Sequence, residues 1–514
     1  MIRFLLKAAL CAAFNFSYAQ LNIEWQKCYG GISYEQANAV ELTDDGGFIL
    51  AGWSQSFEGL VADNHGVNDY WVVKTNSEGE IVWTKSIGGS GNDYCRDIVK
   101  MTDGGYLLVG HSYSNDDDVS ENMGFDDFWV VKITDDGSIE WEKSFGGSGS
   151  DEAYAASPIS DGGCILAGST GSNDGDVSEN KGLDDFWIVR LNASGDLVWE
   201  RSYGGSSTDI AHSVFQTSDG DFVILGKTLS NDGDVSGNNG FYDFWVIKLT
   251  DSGELIWQNC LGGSYHDNGK CAIEASDGGI VLAGETASED GDVSDFYGGW
   301  SDVWLVKLSA DGLLEWENSF GGSVDETPEK IIAPNEGGFM LICDTGTFYM
   351  DGTTSVAISD AWVIKVDDEG ELEWEQRFGG SIQDTFYDFE EISPNQYIFA
   401  GRSRSSDIDV PDFYGEDDYW LVKMKKDHHS EIENRTQVDF SIFPNPASTA
   451  LNIQSELTIE TINVHNTLGQ TVLSLNNINN NTTQINTRDM ENGVYIISII
   501  TEGKIMTQQF QVMH

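Results

Sequence analysis

Apolar and polar residues alternate in short runs along this chain, and the runs return at a fixed interval. In one representative unit, Ala211–Thr217 and Phe222–Leu225 are two β-rich runs joined by an Asp-Gly pair, which signals a hairpin turn. A long polar loop follows at residues 231–243, and then Phe244–Leu249 and Glu254–Gln258 flank a second short turn. Each unit is therefore predicted to form four antiparallel strands.

Tryptophan marks the repeat at two positions in each unit. The first series is Trp25, Trp83, Trp141, Trp199, Trp257, Trp316 and Trp374. The second series is Trp71, Trp129, Trp187, Trp245, Trp304, Trp362 and Trp420. Successive members lie 58 or 59 residues apart, and together the series use 14 of the 16 tryptophans. A four-stranded meander cannot bury both of its faces alone, so the pattern predicts radial stacking into a β-propeller, with tryptophans filling the wedges between blades.

The two ends of the repeat region predict how the propeller closes. The region begins with the last strand of a unit, Asn22–Lys27, and ends with the third strand of a unit, Asp418–Lys423. Seven strands of each type are present only if these two segments share a blade. We therefore predict an all-β chain with a seven-bladed propeller over residues 20–426, in which the N-terminal strand closes the last blade and removes both open edges.

Charge and the N-terminal segment restrict the location and the partners. The 514 residues include 27 basic and 85 acidic side chains, for a formal charge of −58, so nucleic acid is excluded as a favourable partner. Residues 1–19 show Arg3 and Lys7, a short apolar run and Ser17-Tyr18-Ala19, the pattern of a secretory signal peptide. No later stretch is apolar for long enough to predict a transmembrane segment.

The character of the sequence changes after the repeats. Residues 427–438 are predicted to be a polar linker, and residues 439–514 carry Phe443-Pro444-Asn445-Pro446, Leu468-Gly469-Gln470 and Asn492-Gly-Val-Tyr495. This order of motifs resembles the type A C-terminal sorting domain of the type IX secretion system of Bacteroidetes. The resemblance implies a small β-sandwich that is recognised by the type IX machinery, and a protein that is secreted or attached to the outer-membrane surface.

An acidic residue follows the Gly-Gly pair of every unit, just before the first strand. In a propeller the first strand lines the central channel, so these side chains could form a ring of carboxylates at the channel mouth. The alternative is that each one caps its own turn through backbone N–H groups. The seven residues are Glu35, Asp93, Asp151, Asp209, Asp267, Glu326 and Asp384.

The loop between the second and third strands is acidic in most units. Oxygen-bearing side chains at positions 1, 3, 5 and 7 echo the spacing of calcium loops, although the central Gly, the final Glu and the flanking helices of the helical motif are missing. We therefore predict possible Ca²⁺ sites, with solvated Asx-turn loops as the alternative. The candidate ligands are Asp116, Asp118, Ser120, Asn122, Asp174, Asp176, Ser178, Asn180, Asp232, Asp234, Ser236, Asn238, Asp290 and Asp292, with a weaker copy at Asp407 and Asp409.

Cysteine and histidine give little indication of catalysis. The six cysteines after the signal peptide have no metal-ligand spacing and are interpreted as small core residues. The propeller histidines, His65, His111, His212 and His266, have no nucleophile motif nearby and are interpreted as lone surface residues. No catalytic residue and no other cofactor are predicted, and we do not expect an enzyme.

These observations favour a secreted or cell-surface binding propeller whose acidic loop face, ordered by Ca²⁺, takes a glycan or a protein. The alternative is a carbohydrate-active or other hydrolytic enzyme that uses carboxylates on the same face. Since chain direction places the acidic loops and the Gly-Gly turns on one face of the propeller, either site should be sought there, around the channel mouth.

Overall fold

The protein is described from a computed structural model. It describes residues 21–426 except 62, 351–354 and 411–413, and residues 440–513 except 445, 467–470, 489, 491 and 502–503. The predicted signal peptide and linker lie outside the described residues, and so do Asn445 and the Leu468-Gly469-Gln470 motif. The chain divides into two compact units, residues 1–427 and 428–514.

The first unit contains seven four-stranded antiparallel sheets, which we number as blades one to seven. The chain enters at β1 (Leu21–Tyr29), which belongs to blade seven. Blade one consists of β2 (Glu35–Leu42), β3 (Phe48–Ser54), β4 (Asp69–Thr75) and β5 (Ile81–Ile87). Blade two consists of β6 (Asp93–Lys100), β7 (Tyr106–Ser112), β8 (Asp127–Ile133) and β9 (Ile139–Phe145). Blade three consists of β10 (Asp151–Pro158), β11 (Cys164–Thr170), β12 (Asp185–Leu191) and β13 (Leu197–Tyr203). Blades four and five consist of β14 (Asp209–Gln216), β15 (Phe222–Thr228), β16 (Asp243–Leu249) and β17 (Leu255–Leu261); and β18 (Asp267–Glu274), β19 (Ile280–Thr286), β20 (Asp302–Leu308) and β21 (Leu314–Phe320). Blades six and seven consist of β22 (Glu326–Ile332), β23 (Phe339–Met350), β24 (Ser355–Val366) and β25 (Leu372–Phe378); and β26 (Asp384–Ser393), β27 (Gln396–Ser403), β28 (Asp418–Lys426) and β1.

The predicted closure of the ring is confirmed. Strand β1 pairs antiparallel with β28, so that Cys28 lies opposite Trp420 and Tyr29 opposite Tyr419. The side chain of Gln26 accepts a hydrogen bond from the Trp420 indole nitrogen at 2.9 Å. Blade seven thus joins the two ends of the repeat region: β28 is paired on both sides, and β1 takes the outermost position that the fourth strand holds in the other blades.

The second tryptophan series packs the blades against one another, as predicted. These rings are almost completely buried, and in most blades each one contacts an aromatic ring of the blade before it. The ring centroids of Phe128 and Trp187 lie 4.5 Å apart, and those of Phe186 and Trp245 lie 4.4 Å apart. Since the contact recurs around the ring, the wedge between most neighbouring blades is filled by the same aromatic pair.

The first series lies further out and holds the outer hairpins. The Trp83 ring covers Gly137 in the hairpin turn of the next blade, and its indole N–H donates to the Asp135 carbonyl at 3.3 Å. Trp199 makes the same contact with Gly253 and with the Asp251 carbonyl, at 3.1 Å. Gly137 has φ = 79°, so glycine suits both the turn and the close approach of the ring.

Two local features complete the propeller. In blade six the second and third strands are longer than in the other blades, because β23 and β24 remain paired as far as Met350 and Ser355. Within the described residues there is no disulfide, and five of the six cysteines are buried while Cys260 is half-buried. Their core position agrees with the interpretation from sequence.

The second unit is a separate β domain. Its strands are β29 (Phe440–Phe443), β30 (Ala450–Asn466), β31 (Thr471–Asn486), β32 (Gly493–Thr501) and β33 (Lys504–Val512). The long β30 pairs with β29 along its first part, with β32 along its last part and with β31 on its other edge. A bridge between Ala447 and Val512 brings the two ends of the sheet together, so that the sheet is nearly closed around one apolar core.

Candidate functional site

The seven acids that follow the Gly-Gly pairs are buried at the start of each first strand. Each carboxylate accepts the backbone N–H of the second glycine of its own turn, as in Gly89 to Asp93 at 2.8 Å. Except in blade six, it also accepts a hydroxyl from the end of the second strand, as from Ser54 to Glu35 at 2.9 Å. These are the contacts of the turn-capping alternative, and none of the seven acids is among the described residues that line the channel cavity.

A second buried carboxylate lies beside each of these acids. It belongs to the aspartate two residues before the second-series tryptophan, such as Asp69 next to Asp93, and both carboxylates approach the first glycine of the turn, Gly88. In blade one Asp69 accepts the His65 N–H at 2.6 Å with one oxygen, while its Oδ1 is buried without a hydrogen-bond partner. The same orphan oxygen recurs in every blade, at Asp127, Asp185, Asp243, Asp302, Asp360 and Asp418.

Burial, together with the neighbouring carboxylate, raises the pKa of these aspartates. The pKa rises to about 6 for Asp69 and to about 7 for Asp127, Asp243 and Asp418. An aspartate with a pKa near 7 retains a proton over much of the range in which an exposed carboxyl is ionised. The propeller therefore contains a ring of carboxylate pairs, in each of which the aspartate before the tryptophan retains its proton to a higher pH than an exposed aspartate does.

The acidic loops are held to the blade by their own side chains. Asp116 Oδ1 accepts the Ser90 N–H at 2.8 Å, and Asp118 Oδ2 accepts the Gly88 N–H at 3.3 Å. The Asn122 amide donates to the Ser112 carbonyl at 2.8 Å, while Val119 between these groups is buried. Each loop is thus fixed to the Gly-Gly turn of its own blade by one valine and by carboxylates that accept backbone N–H groups.

The same contacts recur in the other acidic loops. Asp174, Asp232, Asp290 and Asp407 each accept the N–H of the serine that follows the Gly-Gly pair, at 2.7–2.9 Å. Asp176, Asp234, Asp292 and Asp409 each accept the N–H of the first glycine, at 3.2–3.3 Å. Asn180 and Asn238 donate to a carbonyl at the end of the second strand, at 3.0 Å. Ser120, Ser178 and Ser236 are exposed, and Ser236 accepts a hydrogen bond from Gln258 at 2.6 Å.

The central channel is lined by a position that the sequence analysis did not single out. In the first strand of every blade one residue is bulged out of the pairing with the second strand. A bulge leaves its extra residue unpaired and redirects the side chain. All seven bulged residues are half-buried and line one cavity of about 540 Å³. These channel positions are Asn38, Arg96, Tyr154, His212, Lys270, Glu329 and Tyr387.

Aromatic rings and a cation lie together on one side of the channel. The Arg96 guanidinium carbon lies 5.5 Å from the Tyr94 ring centroid and 5.8 Å from that of Tyr154. The rings of Tyr154 and His212 lie 5.3 Å apart, and His212 Nε2 is buried without a hydrogen-bond partner. This side of the channel therefore offers ring faces, a cation and an unsatisfied imidazole nitrogen.

The opposite side of the channel carries closely spaced charges. Burial raises the pKa of Glu329 to about 8, although Lys270 nearby opposes the shift. Lys330 forms an ion pair with Asp388 at 3.1 Å, and Asp388 also accepts the Val40 N–H of blade one at 2.9 Å. The channel thus has both protonated and ionised groups that can form hydrogen bonds with a polar ligand.

Two histidines are not the surface residues that the sequence analysis expected. His111 is 3% exposed, and burial and the Arg96 charge lower its pKa to about 3, so that the ring is neutral. His212 lines the channel, and burial lowers its pKa well below the usual value. The expectation was wrong at these two positions because the burial comes from tertiary packing: His111 lies on the second strand of blade two, between two blades, and His212 faces the channel from a first strand.

The C-terminal residues match a known family. Residues 441–513 match the family described as "Secretion system C-terminal sorting domain". The chain carries a type IX sorting domain. This confirms the resemblance based on the Pro-Asn-Pro and Asn-Gly-Val-Tyr motifs. The domain directs the protein to the type IX secretion machinery, and the protein is therefore secreted or attached to the cell surface. Among the described residues no helix has the length and apolar character needed to cross a bilayer.

Comparison with solved structures returns propeller proteins with little sequence identity. The WD40 domain of Pan2 from Neurospora crassa is 10% identical with a TM-score of 0.43, and the match covers 79% of this chain and 95% of that one. Sqt1 from Chaetomium thermophilum is 13% identical with a TM-score of 0.40, over 84% and 97% of the two chains. PorZ, a surface component of the type IX secretion system of Porphyromonas gingivalis, is 9% identical with a TM-score of 0.23, over 98% and 88%. No curated protein matches the sequence.

Proposed function

We propose that this protein is a binding protein of the cell exterior, and that its propeller takes a glycan in the central channel. The observation that carries the proposal is the contrast between the channel positions and the rest of the repeat. The tryptophans, the aspartates that precede them and the Gly-Gly turns recur from blade to blade, whereas six different residue types occupy the seven channel positions. If the repeat served only to build the fold, we would not expect the residue type at one inward-facing position to differ from blade to blade.

The chemistry of the channel supports a glycan. A sugar presents hydroxyl groups around its edge and C–H groups on its ring face, so it needs hydrogen-bonding side chains beside aromatic surfaces. Tyr154, His212 and Tyr387 supply rings, while Asn38 and Lys270 supply hydrogen-bond donors around a cavity of about 540 Å³. Export to the cell exterior by the sorting domain supports the proposal, because a protein there can meet extracellular polysaccharides.

A glycan array with the full chain tests this proposal, followed by titration of any bound glycan. We expect Tyr154→Ala and Lys270→Ala to weaken binding by about tenfold or more, because each removes a contact inside a desolvated cavity. Lys143→Ala is the matched control, since Lys143 lies on the outermost strand of blade two and pairs with Asp196 at 2.6 Å. Failure to bind any glycan, or binding that is insensitive to both channel variants, would contradict the proposal.

The same experiment separates the other interpretations. If an extracellular protein binds instead, and the channel variants weaken its binding, the ligand is a protein and the channel is still the binding site. If a bound glycan is cleaved, and a single Asp→Asn or Glu→Gln change in the channel or on the loop face abolishes turnover, the protein is the hydrolytic enzyme of the alternative hypothesis.

A second part of the proposal is that Ca²⁺ orders the acidic loops. The support is the regular spacing of carboxylate, hydroxyl and amide oxygens together with the net charge of −58, which concentrates divalent cations near the surface. Each loop carboxylate contacts an N–H through one named oxygen, such as Asp174 Oδ1 and Asp176 Oδ2, so its second oxygen remains for a cation.

Thermal melting with and without a chelator tests the calcium proposal. We expect EDTA to lower the melting temperature of the wild type, and the double variant Asp174→Asn and Asp176→Asn to reduce that effect. The control is Asp136→Asn with Asp196→Asn, because these two aspartates belong to exposed hairpin turns and the variant removes the same number of charges. An unchanged melting temperature in EDTA would contradict the proposal that Ca²⁺ orders the acidic loops.

A further inference from the structure

Three potential metal ligands converge at the interface between blades two and three. A ring nitrogen of His111 and one carboxylate oxygen each from Asp126 and Glu152 all lie within 4.8 Å of one another. His111 is on the second strand of blade two, Asp126 directly precedes its third strand, and Glu152 is on the first strand of blade three. Among the described residues this is the one group of three or more such side chains at that spacing.

Two of the three side chains carry a buried polar atom that no protein group satisfies. His111 is 3% exposed and Asp126 is fully buried. His111 Nδ1 and Asp126 Oδ2 have no hydrogen-bond partner, although an unpaired polar atom in the interior destabilises the fold. The other Asp126 oxygen accepts a hydrogen bond from the Ser150 hydroxyl, and Glu152 accepts one from the Tyr154 hydroxyl. Each carboxylate is therefore oriented by a hydroxyl donor.

The repeat supplies an internal comparison for this cluster. At the interface of blades seven and one, the equivalent positions hold Arg402, Asp417 and Gln36, and Arg402 forms an ion pair with Asp417 at 3.4 Å. At the interface of blades four and five, the equivalent of His111 is Lys227, which lies 4.7 Å from the centroid of the Tyr242 ring. The His111 ring likewise lies 5.4 Å from the Tyr94 ring and close to the Arg96 charge. What distinguishes this interface is that, among the described residues, its two carboxylates accept hydroxyl groups and form no ion pair.

We propose that His111, Asp126 and Glu152 bind a divalent transition-metal ion such as Zn²⁺. An imidazole nitrogen with two carboxylates suits Zn²⁺ and its first-row neighbours, whereas Ca²⁺ prefers oxygen alone. Bonds of about 2.1 Å place tetrahedral ligand atoms about 3.4 Å apart, so the cluster has to contract by little more than 1 Å. Three protein ligands leave a fourth position open. Tyr154, which donates to Glu152, lines the channel, so the cluster is one hydrogen bond away from the proposed binding cavity.

Metal titration of the purified full chain, made without an affinity tag that binds metal and stripped with a chelator, tests the proposal. We expect about one equivalent of Zn²⁺ to bind per chain, and Co²⁺ in its place to show the visible absorption bands of a tetrahedral site. His111→Ala and Glu152→Gln should each weaken Zn²⁺ binding by about tenfold or more. Glu152→Gln changes a half-buried residue, so it keeps the test valid if His111→Ala does not fold.

Asp184→Asn is the matched control. Asp184 occupies the position of Asp126 one blade further on, but there the equivalents of His111 and Glu152 are Ser169 and Ile210. The affinity of the Asp184→Asn variant for Zn²⁺ should remain within about twofold of that of the wild type. The proposal is overturned if no stoichiometric site is found, if His111→Ala and Glu152→Gln bind Zn²⁺ as the wild type does, or if Asp184→Asn weakens binding equally, which would indicate diffuse attraction to an acidic surface.

Discussion

Two sets of positions in the propeller behave in opposite ways. The frame positions are the second tryptophan of each unit, the aspartate two residues before it and the acid after the Gly-Gly pair. They repeat in all seven blades and are buried, except that Asp360 of blade six is half-buried. The channel positions occur equally regularly in the structure but hold a different residue in almost every blade. The comparison teaches that, in a repeat protein, the positions that repeat are those that each blade needs in order to fold and pack. A fixed inward-facing position whose residue type varies indicates instead where the blades contact a ligand.

The largest effect should follow from breaking the frame. Trp129 is fully buried and its ring centroid lies 4.6 Å from that of Tyr70 in the previous blade. Trp129→Ala should lower the free energy of unfolding by about 3–5 kcal/mol, because it leaves a cavity between two blades. Denaturant unfolding measures this.

Trp300 provides the matched control for that substitution. It is one of the two tryptophans outside the repeat series and is 79% exposed. Trp300→Ala should therefore change stability by no more than about 0.5 kcal/mol. Equal losses in the two variants would show that burial between blades is not what the repeated tryptophan provides.

The paired carboxylates of the frame should make stability depend on pH. Asp127 has a pKa of about 7 in the folded state because burial and Asp151 disfavour its charge, whereas an unfolded aspartate titrates near 3.8. A raised folded-state pKa means that the stabilising effect of protonation is complete below the unfolded pKa and is lost as the pH rises to about 7. Thermal melting should therefore show a lower melting temperature at pH 7.5 than at pH 5.

Asp127→Asn should make that pH dependence less steep, because an amide does not ionise but can still accept the Met123 N–H. Asp136→Asn is the control, since Asp136 lies in an exposed turn where hydrogen bonds from Thr134 and Ser138 lower its pKa. If the melting temperature rises steadily between pH 5 and pH 7.5, the carboxylate pairs are not the groups that limit stability.

Most of the fold could be predicted from the sequence because the repeat samples each structural requirement seven times. The period of Trp129 and its equivalents gave the number of blades, and the incomplete units at the two ends gave the closure through β1. The Pro-Asn-Pro and Asn-Gly-Val-Tyr motifs identified the sorting domain, because they occur in a fixed order.

The channel positions could not be found in the same way, because the search looked for residues that recur. Asn38 and its equivalents share no residue type, and their common feature is a bulge, which depends on pairing with the second strand. Their place three residues after each frame acid was visible in the sequence as a column that changes while the residue just before it stays small or apolar. The cluster of His111, Asp126 and Glu152 was harder still to predict, since it joins two blades and occurs once among the described residues.

A small effect on stability, and the sharpest test of the comparison, is expected at the channel positions themselves. Tyr154→Ala removes a half-buried side chain at a bulged position, and the bulge places that residue outside the pairing with the second strand. Its cost in free energy of unfolding should be about 1 kcal/mol or less, well below that of Trp129→Ala, although both substitutions remove an aromatic ring. Denaturant unfolding of the two variants in parallel measures the difference. A loss as large as that of the frame variant would mean that the channel ring is part of the core, and variation between blades would then reflect packing rather than recognition.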